Sequence, residues 1–218
     1  MARVDLTGAD VVDGHCHPFR TRDLLDREPR TFETRCMFLG TALLSSGHAN
    51  HEAAEFVEEL TESTMFGLAL RRWIARYLGC DPTKEAVVTA RDAALRADPP
   101  AYVRGLLGSE NVVAVVADEG YPQPTIDRGE FEEALGGVPV HRVGRIEPWI
   151  VDAREEGSFD ATVQRFEDAV NTAADDPRLI AYKTIIAYRT GLDVTDPTSA
   201  DAGAAYERWR SDEWRESR

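Results

Sequence analysis

Two histidines, His15 and His17, flank a cysteine in the run Val11-Val12-Asp13-Gly14-His15-Cys16-His17-Pro18. On an extended segment both imidazoles point to one side and Cys16 to the other. Two nitrogen donors on one face, at the mouth of a strand, can grip one divalent cation; otherwise they are a pair of solvated loop histidines. Lys183 lies in the apolar run Leu179-Ile180-Ala181-Tyr182-Lys183-Thr184-Ile185-Ile186, where an ammonium is costly unless partnered or modified. A buried lysine has an accessible neutral amine, which can add carbon dioxide and become a carbamate, an oxygen ligand able to bridge two metals. The alternative is an ammonium paired with Glu147 or Asp118. Arg145 and Glu147 are expected on one face of a strand, as substrate-binding residues or as partners of each other. Arg189 is placed to hold a substrate carboxylate or to cover a strand end. Asp118 and Glu119 read as a loop cap or an anion-repelling rim, and His48 and His51 as caps of the helix that follows them.

The elements that must position these groups are legible from periodicity. Residues 9–18 form a short apolar run closed by Gly and Pro, a buried strand ending in a loop. Residues 19–50 read as a long loop with little helix. Helical spacing runs from His51 to Leu78 and stops at Gly79; a second helix spans Lys84 to Leu95, and Tyr102 to Leu107 form a short third. The pattern then changes to β-branched runs at 111–120, 138–147 and 179–188, separated by a helical turn near Phe131 and an amphipathic helix from Phe159 to Ala173. A charged helix, Ala202 to Trp214, closes the series. Strands apolar on both faces and separated by helices indicate a parallel sheet. The polar residues gather just past the strand ends, where (β/α) barrels and open doubly wound sheets place their sites. No strand is followed by a Gly-rich phosphate fingerprint, which weighs against a nucleotide-binding doubly wound fold.

Composition sets the class. The 218 residues carry 25 basic against 39 acidic side chains, a net charge of -14, so the surface repels phosphate backbones and anionic lipid heads. Neither nucleic acid nor a membrane is expected as partner; no run reaches the ~18 apolar residues of a spanning helix, and a cytoplasmic location is expected. Only Lys84 and Lys183 among the 25 basic residues are lysines, a bias that fits a high-salt cytoplasm or a GC-rich genome equally. The three cysteines, Cys16, Cys36 and Cys80, show no CxxC spacing, so neither a disulfide framework nor a thiolate zinc site is indicated.

Val-Asp-Gly-His-Cys-His-Pro, then Gly-Arg-Ile-Glu, then Ala-Tyr-Lys-Thr-Ile-Ile-Ala-Tyr-Arg-Thr-Gly-Leu resembles, in this order, the amidohydrolase superfamily. It is most similar to the amidohydrolase-2 group that includes domains fused to glutamine synthetase in nodulin-type proteins. The likeness runs from residue 10 to about 193. It implies a (β/α)8 barrel and a divalent metal, commonly zinc, with His15 and His17 as strand-one ligands and Lys183 as the strand-four ligand. It also implies hydrolysis by a metal-activated water. The pattern departs from the family in one respect: a complete site also uses a His after strand five, another after strand six and an Asp after strand eight. The five histidines here are His15, His17, His48, His51 and His141, and none follows strand four.

The expectation is therefore an α/β fold, a partial (β/α)8 barrel of strands one to four, forming a single domain over 1–218 with a helical insertion at about 50–107. The expected function is metal-dependent hydrolysis of a C–N or C–O bond in a small anionic substrate, by an incomplete or split form. The alternative is a non-catalytic half-barrel for binding or assembly, whose exposed sheet edge pairs with a complementary half-barrel chain or with a second copy.

Overall fold

The computed structural model describes residues 5, 8–25, 56, 59–122, 124–188 and 191–211. Four strands, β1 (Val11–Cys16), β2 (Val112–Asp118), β3 (Val140–Arg145) and β4 (Leu179–Lys183), form one sheet in the order β1-β2-β3-β4. All three pairings are parallel, with Val115 opposite Val140, Asp118 opposite Val143 and Arg145 opposite Lys183. Among the described residues each strand lies beside its neighbour in sequence, so the order does not reverse and they form no switch-point crevice of the doubly wound kind. This is the order of the first four strands of a (β/α) barrel, and the chain is a partial barrel of that type.

The helices lie between the strands. α1 (Thr21–Leu25) follows β1, and α2 (Met65–Leu78), α3 (Lys84–Ala97) and α4 (Pro99–Ser109) come before β2. α5 (Arg128–Ala134) separates β2 from β3, α6 (Ile146–Ala153) and α7 (Phe159–Ala174) separate β3 from β4, and α8 (Ser199–Ser211) comes last. Gly79 ends α2 in the left-handed region at φ 68°, as its position after Leu78 foretells. α4 starts earlier than the apolar pattern suggests, because Pro99 suits the first turn and Asp98 Oδ1 accepts from the Ala101 N–H at 2.9 Å.

The core forms where β2 meets this helical layer. Val115 and Ala117 pack with Leu95, Tyr102, Val103, Ile126, Phe131 and Leu135, and Cys16 and Phe19 join from the β1 end. Phe131 and Leu95 are essentially fully buried, each stabilising the fold by about 1.5–3 kcal/mol. Strand alternation then sends Val116 and Asp118 to the opposite face from Val115 and Ala117. α8 packs on α7 through Tyr206, whose ring lies 5.9 Å from Phe159 and whose hydroxyl donates to the Arg154 carbonyl at 3.1 Å.

Two strand boundaries differ from the sequence reading, with consequences for the site. The third strand stops at Arg145, and Ile146–Ala153 is helical, so Glu147 lies in the first turn of α6 and not on a strand face with Arg145. The fourth strand stops at Lys183 and is followed by a 3-10 turn at Ile186–Tyr188. Arg189, His48 and His51 lie outside the described residues.

Candidate metal centre

Each strand end delivers polar groups to the same rim, two from β1 and one from each of the others. His15 is the penultimate residue of β1 and His17 follows the strand by one position; Asp118, Arg145 and Lys183 are the last residues of β2, β3 and β4. Because Cys16 faces the core, His15 and His17 face away from it. Their rings meet edge to face with centroids 4.9 Å apart, and Tyr121 stands against His17 at 5.1 Å. The described residues thus bring His15, His17 and Lys183 together from opposite ends of the chain. Lys183 Nζ lies 2.7 Å from His15 Nε2.

Asp118 meets Lys183, as the alternative reading of that lysine has it, but its place beside His15 and His17 as a third donor is what the sequence reading missed. It does more than cap the turn after β2: it is fully buried and sits at the centre of the cluster. Arg145 grips it with two prongs, Nε to Oδ1 at 3.1 Å and Nη2 to Oδ2 at 2.5 Å. Lys183 Nζ stands 2.8 Å from Oδ2, and the Gly120 N–H donates to Oδ1 at 3.0 Å. Burial pushes the Asp118 carboxyl up, but the hydrogen bonds from Arg145 and Lys183 outweigh it and bring the pKa down to about 2. The carboxylate is therefore charged throughout the neutral range. The available signal was an acid closing the otherwise apolar strand Val-Val-Ala-Val-Val-Ala-Asp on the His15 rim.

Glu119, one residue on, points the other way. Its carboxylate accepts from Arg128 Nε at 3.0 Å and from Arg142 Nε at 2.9 Å, while Arg142 also reaches Asp176 at 2.9 Å. These pairs tie β2, β3 and the turn before β4 together below the rim. Glu147 and Arg145 do not pair: Arg145 is committed to Asp118, and Glu147 Oε1 accepts from the Thr184 hydroxyl at 2.5 Å and the Ile185 N–H at 2.7 Å. Glu147 thereby fastens the segment that follows Lys183. A cavity of about 560 Å³ opens beside Arg145, walled in part by Gly120, Ile126, Val143 and Trp149.

The donor set suits a divalent ion. One ligand atom from each of His15, His17 and Asp118 can be chosen so that all three lie within 4.8 Å of one another. The His17 ring adds a further sign. Its Nδ1 lies 3.2 Å from the Asp118 carbonyl oxygen, and a proton held there leaves Nε2 bare, the arrangement that orients metal-ligating histidines. Burial lowers the His17 pKa, helped by His15 and Lys183, which favours the neutral ligand form. Two imidazoles and a carboxylate form a common set for zinc and other first-row divalent ions.

Fold and site together define an α/β half-barrel with a candidate two-histidine, one-carboxylate metal centre at the C-terminal rim of its sheet. No protein-family model and no curated protein matches the chain. Among solved structures it is similar in fold to a protein from Lactobacillus casei ATCC 334 that carries the provisional description of a metal-dependent hydrolase. The TM-score is 0.65 over 93% of this chain, at 21% sequence identity. The chain spans about half the length of that protein, 49%. No helix among the described residues is long and apolar enough to cross a membrane.

Proposed function

We propose that this chain carries the metal-binding half of a hydrolase of amidohydrolase type, acting on a C–N or C–O bond of a small molecule. The observation that carries the reading is the convergence of His15, His17 and Asp118 donor atoms within 4.8 Å at one strand-end rim. The fold shared with a protein described as a metal-dependent hydrolase supports it. His15, His17 and Asp118 would hold a divalent cation, zinc by the donor set, and Lys183, carbamylated, would add an oxygen ligand from β4. The cation would supply Lewis acidity toward a carbonyl group and would lower the pKa of a water. Tyr121, against His17 on the open side, would border the substrate.

The expected anionic substrate loses one of its supports. Arg145 is engaged by Asp118 and Gly120, and so is better understood as part of the centre than as a clamp for a substrate carboxylate. The test is uptake of zinc by the purified chain after dialysis. We expect stable binding of a single equivalent, abolished in His15→Ala; a chain that stays empty in excess zinc refutes the reading.

A second reading, a half-barrel for binding or assembly, is favoured by the outer strands of the sheet. β1 exposes Val11 and Val12, and β4 exposes Ile180 and Tyr182. Such edges accept further strands, from a complementary half-barrel chain or from a second copy. A monodisperse monomer, stable without any partner, would count against it.

A further inference from the structure

We propose that Arg145 is the positioning residue of the metal centre, fixing the Asp118 carboxylate for the cation, and that Gly120 is glycine because Arg145 must pass against it. The inference rests on the metal-centre reading above and assigns a role inside it.

A carboxylate offers about four acceptor positions. On Asp118 each is engaged: Oδ1 by Arg145 Nε and the Gly120 N–H, Oδ2 by Arg145 Nη2 and Lys183 Nζ. Three of these contacts come from framework groups. Arg145 is held at the end of β3, with only 14% of its side chain exposed, and its fork spans both oxygens. The Gly120 N–H belongs to the backbone. The fourth contact comes from a flexible lysine stem, and it occupies the side of Oδ2 that lies 3.9 Å from His15 Nε2. The carboxylate is thus locked in plane by Arg145 and Gly120, with its one exchangeable position turned toward the histidines.

Gly120 carries the independent argument. A Cβ built there would stand 2.6 Å from Arg145 Cδ, 2.7 Å from Nε and 3.0 Å from Cβ, closer than real side chains pack. The arginine stem is wedged against the bare backbone at this point, and Nη1 reaches the Gly120 carbonyl at 3.5 Å. An alanine would force the fork off Asp118 while leaving every charge and every proposed ligand in place.

The experiment is calorimetric zinc titration of the folded chain as wild type, Arg145→Met, Arg145→Lys, Gly120→Ala, Asp118→Asn and the Asp118→Asn/Arg145→Met double variant. Circular dichroism establishes that each is folded. Loss of a group that orients a ligand costs about 10–100-fold in metal affinity. We expect a loss of that order in Arg145→Met and in Gly120→Ala. Arg145→Lys should not restore it, because a single ammonium cannot span both oxygens. In the Asp118→Asn background the Arg145 change should add little, a coupling that a merely structural arginine would not show. Unchanged or tighter zinc binding in Arg145→Met or Gly120→Ala overturns the inference alone, as does an undiminished Arg145 effect without Asp118. A wild-type chain that takes up no zinc overturns the metal-centre reading and this inference with it.

Discussion

Lys183 Nζ bridges Asp118 Oδ2 at 2.8 Å and His15 Nε2 at 2.7 Å, so its nitrogen stands among the donor atoms that would surround a cation. As an ammonium it competes with a metal for Asp118; as a carbamate it becomes a ligand and gives up that ion pair. The effect of removing it should therefore change sign with carbon dioxide. In carbon dioxide-free buffer, Lys183→Met is expected to bind zinc more tightly than wild type. With bicarbonate present, wild type should overtake the variant, and its intact mass should rise by one carbon dioxide. Zinc titrations at both conditions check this; bicarbonate-independent affinity in wild type removes the carbamate.

Acid should weaken the fold through Asp118. Its carboxyl titrates near 2 in the folded protein against 3.8 for the free group. The folded pKa is the lower one, so the associated stability is complete above the unfolded value and is lost as pH falls from about 4 through 2. For a fully buried side chain that shift is worth about 2 kcal/mol. Urea midpoints measured across this range, with chelator present, should fall more steeply in wild type than in Arg145→Met.

Gly144 on β3 has no room for a side chain. A Cβ there would meet the Trp149 ring at 2.7 Å and Leu179 Cδ1 at 3.1 Å. Gly144→Ala is expected to destabilise the fold by about 1–3 kcal/mol through overpacking. Adding Trp149→Phe, which shortens the offending ring, should recover part of the loss in urea unfolding.

Glu147 holds the chain just beyond Lys183 through the Thr184 hydroxyl and the Ile185 N–H, both on Oε1. Its other oxygen is buried with no hydrogen-bond partner among the described residues. Glu147→Gln keeps an acceptor oxygen and should be mild. Glu147→Ala leaves the Ile185 N–H unpaired, at a cost of about 1–3 kcal/mol. Hydrogen exchange at Ile185 and Ile186 should accelerate in the alanine variant and change little in the glutamine one.

Cys16 should be inert despite its place between two candidate ligands. Burial, with a smaller push from Asp13, raises its thiol to about 12, and the thiolate is the reactive species. Iodoacetamide near pH 8 is expected to leave Cys16 unmodified in the folded chain and to label it after unfolding in urea, as read by peptide mass spectrometry.

The local code carried much of this. Val-Val-Asp-Gly-His-Cys-His-Pro announces a strand end, because alternation fixes His15 and His17 to one side once Cys16 packs inward. The β-branched runs and their helical spacers dictate parallel pairing, since only a long crossover returns the chain in the same direction. Boundaries were less legible: residues 146–153 are apolar enough for a strand, yet Pro148 at the third position suits a helical first turn and takes Glu147 off the sheet.

What the sequence by itself determined was a parallel α/β sheet with an HxH at the end of its first strand and a lysine within the apolar run of its fourth. Tertiary structure alone decided which charges meet. Arg145 could have faced Glu147 or a substrate, and Asp118 could have capped a loop. Pairing of β2 with β3 sets Arg145 on Asp118, 27 residues away, and the stacking of β1 to β4 in one sheet brings Lys183 to His15 across 168 residues, although their two strands do not pair directly. Such partners are chosen by register between distant strands, a property no local pattern encodes, because one residue of slip would turn every one of these side chains to the other face.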